Sequence, residues 1–202
     1  MFNGGFQEAL TGFATLPEDN GKAFEHFLGW LYRGTIDLTM DGAQLVDLYG
    51  FAEKYSLGEL MDLTMDSFIE HLKTKNTILI GCNLDYIYEN THENSKLRLF
   101  GARCYTYVTV EARDEGCWET EKTLPRGLHK VEIMTDVFRQ LRDFKNSPSR
   151  RPDGDAKLLL DPRTAPPCLY HVHASGVPCA SKKNRTMEGE VRNDVEKEGE
   201  CS

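Results

Sequence analysis

Apolar residues recur at helical spacing through the first 145 positions and thin out after them. In KAFEHFLGWLYRG, Phe24, Phe27, Leu28, Leu31 and Tyr32 share one side of a helix that Gly34 ends. DGAQLVDLYGFAEKYSLG repeats the pattern with Leu45, Leu48, Tyr49 and Ala52, and Asp41 is placed as its N-cap. LGELMDLTMDSFIEHLKTKN sets Met61, Met65, Phe68 and Leu72 on one stripe. A short helix over NLDYIYENT follows. Then comes one from an Asn94 or Ser95 cap, with Leu97, Phe100, Cys104 and Tyr107 or Val108 inward. LHKVEIMTDVFRQLRDF predicts a last helix with Leu128, Val131, Met134, Phe138 and Leu141 on its inner face. TGFATLPEDNG, residues 11–21, has the brief alternation of a strand edge before a turn, and the charged stretch EARDEGCWETEKTLPRG is expected as a loop. The fold class is mainly α, with at most one or two short strands as an α+β remnant. No repeat of 20–50 residues is present.

Composition sharpens the boundary. Residues 1–145 carry 23 acidic and 15 basic side chains, the whole net charge of -8, whereas residues 146–202 carry 9 of each. Of the 20 aromatic residues only Tyr170 lies after position 145, and 6 of the 8 prolines lie there. Such a segment buries too little apolar surface to offset chain entropy, so 146–202 is expected to be a disordered tail. The acidic balance argues against a nucleic-acid-coating surface. No apolar run reaches membrane-spanning length and no signal peptide is readable, so an intracellular protein of cytoplasm or nucleus, with reduced thiols, is expected.

The order of segments carries a resemblance. GGFQEAL, then LPEDNGKAFEHFLGWLYRGTI, then LVDLYGFAEKYSLGELMDLTMDSFI resembles the BTB/POZ domain. FLGWLYRG and YIYENTHENSKLRLFGARCYTYV resemble its fungal branch and the helical extension that often follows it there. The similarity runs through about residues 2–110, and more loosely to 145. It implies a partial BTB/POZ domain over 1–75, a helical C-terminal extension over 76–145 and the tail over 146–202. In the family, a GxFxE segment follows a first half with two strands and two helices, which has no counterpart here. On this resemblance Met1 is expected to be either a true alternative start or the first residue of an incomplete gene model. Loss of that cover would uncover one face of the helix 22–33, a deficit that the helices after residue 83 would have to make good.

The resemblance implies a non-catalytic protein–protein interaction module. In a subset of the family, a hydrophobic-x-Glu motif contacts a cullin scaffold and the protein presents substrates to a ubiquitin ligase. Phe6-Gln7-Glu8 stands in the matching place, so Phe6 and Glu8 are the candidate partner-binding residues. A scaffold or transcription-linked interaction protein without cullin contact, or a non-functional truncated gene product, is the alternative. Homodimerisation is not carried over, because the elements that usually build the dimer are missing.

No phosphate-binding loop, dinucleotide fingerprint, zinc-protease or nucleophile-elbow motif is present, so neither an enzyme nor a cofactor is expected. One cluster has metal-ligand chemistry: CLYHVHASGVPC offers Cys168, His171, His173 and Cys179. Two thiolates and two imidazoles suit tetrahedral zinc, although the spacing matches no zinc-finger signature and the segment falls in the expected tail. His26, His71, His92 and His129 are isolated and expected as surface or packing residues.

Overall fold

A computed structural model describes residues 20–112, 116–146 and 159–173. It is mainly helical, and among the described residues there is no strand. The helices are α1 (Gly21–Arg33), α2 (Gly42–Lys54), α3 (Gly58–Thr74), α4 (Gly81–Asn90), α5 (Lys96–Glu111), the single turn α6 (Thr120–Thr123) and α7 (Lys130–Asn146). Residues 11–19, the larger part of the expected strand edge and turn, lie outside the described residues.

The helix ends follow from local chemistry. The Asn20 side chain accepts the Lys22 N–H at 3.0 Å, and Gly34 closes α1 at φ +71°, its N–H donating to the Trp30 carbonyl at 2.7 Å. Asp41 and Gln44 form a reciprocal capping box at 2.9 Å each way. Ser95, one of the two expected caps, accepts the Leu97 N–H at 3.2 Å.

Helix α3 is the centre of the molecule. Leu60, Met61, Met65, Phe68, Ile69 and Leu72 are buried, and so are Asp62 and Thr64. A helix buried nearly all round must be covered from several directions. Helix α2 covers one side with Leu45, Leu48, Tyr49 and Ala52, the face the sequence periodicity predicts. Phe100 of α5 meets Phe68 edge-on at 6.3 Å between ring centroids. The core runs without a break from Met40 to Tyr170, drawing on helices either side of position 75.

Two expectations about the core need correction. In α7 the buried residues are Ile133 and Val137, with Met134 and Leu141 partly buried, while Leu128, Val131 and Phe138 are 93%, 70% and 56% exposed. The helix carries two overlapping apolar stripes, and packing on α5 selects the 133/137 one. Gly116–Trp118 and Thr120–Thr123 form short helical turns within the expected loop.

The second correction concerns the tail. Residues 159–173 were expected to be disordered, yet they lie across α3 and α5 in two 3-10 turns, Pro162–Thr164 and Pro167–Leu169. Tyr170 is the reason. Its ring is buried edge-on against Phe100 at 5.0 Å and its hydroxyl donates to the Pro162 carbonyl at 3.3 Å. Arg163 adds a hydrogen bond to the Thr77 carbonyl at 2.8 Å. Burial of the Asp161 carboxyl works against its charge, but the Arg163 hydrogen bonds outweigh it and hold the carboxyl below the ordinary range. One well-placed aromatic contributes about 2–3 kcal/mol by burial, which an average over the tail's composition does not register.

Candidate functional site

Helix α3 presents Asp62 and Asp66 one turn apart, and therefore on one face. The segment after Pro166-Pro167 returns to that face. Pro167–Leu169 turns Cys168 to the surface, and Tyr170 pins the chain so that His171 enters the protein. The His171 imidazole is fully buried, with Nε2 3.0 Å from Asp66 Oδ1 and Nδ1 4.0 Å from Asp62 Oδ2. Asp62 Oδ1 also accepts the Val172 N–H at 2.7 Å, which fixes the backbone on the far side of the histidine. His173 then packs its ring edge-on to His171 at 5.4 Å.

Cys168, His171 and His173 thus converge. One donor atom from each lies within 4.8 Å of the other two. Three of the four residues named from the sequence come together, and Cys179 lies outside the described residues. Sequence reasoning missed Asp62 and Asp66. Their signal was present as two carboxylates four residues apart in MDLTMD, but it gains meaning only when a histidine 105 residues later is brought against it.

Phe6 and Glu8 lie outside the described residues. His26, His71 and His129 are half-buried and His92 is exposed, each apart from the Cys168 cluster. No described helix is long and apolar enough to cross a membrane.

A second feature is a groove of about 410 Å³ between α1, α2 and the end of α4, lined by residues that include Ala23, Asp47, Phe51, Lys54 and Glu89. Asp47 is its polar centre, accepting from Asn20 Nδ2 at 2.6 Å and from the Tyr86 hydroxyl. Burial and the bond to Asp47 push the Tyr86 hydroxyl up to about 12. The floor is tight: a Cβ on Gly50 would stand 2.2 Å from the Asn90 carbonyl oxygen.

No family model, no curated protein and no solved structure matches this chain.

Proposed function

We propose that the chain is a non-catalytic protein–protein interaction module of BTB/POZ type, acting as a substrate adaptor for a cullin-dependent ubiquitin ligase. The observation that carries an interaction role is the apolar surface at the end of α1. Leu31 and Tyr32 are 55% and 84% exposed, and Leu38, in the loop that follows, is 89% exposed. Large apolar side chains held in water are what a partner surface covers. The rest of α1 holds this group firmly, because Phe24 and Phe27 pack their rings on Phe51 at 6.1 and 5.3 Å.

The cullin assignment rests on the resemblance and on Phe6 and Glu8. Phe6 supplies an apolar anchor for a pocket on the scaffold, and Glu8 supplies orientation and a faster encounter. Titrating a cullin N-terminal domain with the full chain tests it. Phe6→Ala is expected to weaken binding at least about tenfold, the loss of a hot-spot side chain, and Glu8→Lys to slow association in a salt-dependent way. Equal binding by wild type and both variants removes these residues from the mechanism.

A scaffold role without cullin contact is the second reading. It is favoured by the exposed stripe of Leu128, Val131 and Phe138 at and along α7, a surface separate from Phe6 and Glu8 in the chain. Wild-type chain that fails to bind the cullin domain, while Phe138→Ser alters capture of other partners, favours it.

A further inference from the structure

We propose that Cys168, His171 and His173 form a zinc site within the docked segment 159–173, at its contact with α3. The donor set is one thiolate and two imidazoles, with the fourth position open to solvent, a combination that suits tetrahedral zinc. Bond lengths to zinc place donor atoms about 3.3–3.6 Å apart in such a site. The three donors stand within 4.8 Å of one another, so a side-chain movement of about an ångström closes them on an ion.

The surroundings supply what the sequence spacing alone lacks. His171 is fully buried and cannot swing freely, and its Nε2 is paired with Asp66 at 3.0 Å. A carboxylate on one ring nitrogen fixes the tautomer and turns the other nitrogen toward a metal, raising its basicity. That nitrogen, Nδ1, is the one left to ligate, and it lies 4.0 Å from Asp62 Oδ2. Asp62 is itself oriented by the Val172 N–H. Cys168 is exposed, so the ion enters from the solvent side and the thiol proton leaves to solvent as the bond forms. Asp66 is a positioning residue, and the ligands are the three donors.

The test uses the full-length chain, stripped with a chelator and titrated with zinc chloride and, separately, cobalt chloride. One zinc per chain by elemental analysis is expected, and a cobalt spectrum with a thiolate-to-metal charge-transfer band. Cys168→Ser, at an exposed position that leaves the fold intact, loses that band. His173→Ala weakens zinc binding while keeping it. Asp66→Asn also keeps the band but weakens affinity about tenfold to a hundredfold, the effect of removing an outer partner. Cys82→Ser, whose thiol is outside the cluster, changes neither readout. A chain that takes up no zinc at micromolar free metal, or a charge-transfer band that survives in Cys168→Ser, overturns the site.

Discussion

Arg98→Ala lowers the stability of the chain by about 3 kcal/mol, the sum of two lost charge-assisted hydrogen bonds, one to the buried Tyr88 carbonyl and one to the part-buried Thr91 carbonyl. The guanidinium is buried at the turn between α4 and α5. It donates to the Tyr88 carbonyl at 2.7 Å, to the Thr91 carbonyl, to Thr91 Oγ1 at 3.1 Å and to Glu132 of α7 at 3.1 Å. Its Cζ also lies over the Tyr88 ring, 4.5 Å from the centroid. The Glu132 pair adds little, because that carboxylate is more than half exposed and solvent screens it. The weight falls on the carbonyls, above all that of Tyr88, which stays buried when the donor is gone. Arg98→Lys recovers only a small part, since an ammonium cannot reproduce the planar fork. With a urea slope of about 2 kcal/mol per molar, the Ala variant's midpoint falls by about 1.5 M, followed by circular dichroism. A shift below 0.3 M would mean that the network is ornamental.

Gly81→Ala is the second large effect, and its origin is space. A Cβ there would stand 2.2 Å from the Thr123 carbonyl oxygen and 2.4 Å from the Leu124 carbonyl carbon and the Pro125 nitrogen. All three are backbone atoms, and Thr123 and Pro125 are buried, so the whole 123–125 segment must shift. Overpacking of this kind costs about 3 kcal/mol. Two other glycines calibrate the result. At Gly101 the added Cβ meets only the end of the buried Leu84 side chain, at 2.6 Å, which must repack while the backbone stays in place, so the loss is smaller, about 1–2 kcal/mol. At Gly21 nothing lies within 4 Å, and Ala there is neutral or slightly stabilising through helix propensity. The order of urea midpoints expected is Gly21→Ala highest, then Gly101→Ala, then Gly81→Ala.

How far the sequence reveals these features depends on the distance over which each is encoded. The caps at Asp41 and Ser95 and the stop at Gly34 are local chemistry, and all three are legible in a few residues. The inner faces of α2 and α3 follow from periodicity, because each carries a strong apolar stripe. In α7 the period is equally clear but the phase is ambiguous. Ile133 and Val137 compete with Val131 and Phe138, and only the position of α5 decides between them. In α1 the sequence gives an apolar face but no reason for Leu31 and Tyr32 to remain in water. Gly81 looks like any helix-start glycine until a segment 42 residues later is laid against it.

The candidate site divides in the same way. Cys168, His171 and His173 are visible as residue types in a short stretch, whereas Asp62 and Asp66 become partners only through the long-range fold. Composition placed that stretch in a disordered tail because it averages over 57 residues, and the docking depends chiefly on Tyr170, Arg163 and His171. Local averages miss anchors.

A core that continues from Met40 to Tyr170 is what joins the exposed apolar end of α1, the buried Arg98 network and the Cys168 cluster in one molecule. Native-state hydrogen exchange of the full chain tests that continuity at a single atom, the Val172 amide, whose hydrogen bond goes to Asp62 of α3 at 2.7 Å. The Val172 amide is expected to be protected well above the free-peptide rate, and to lose that protection on Tyr170→Ala while α3 keeps its own. Exchange of Val172 at the free-peptide rate in the wild-type chain would contradict the docked segment and place the end of the folded unit at α7.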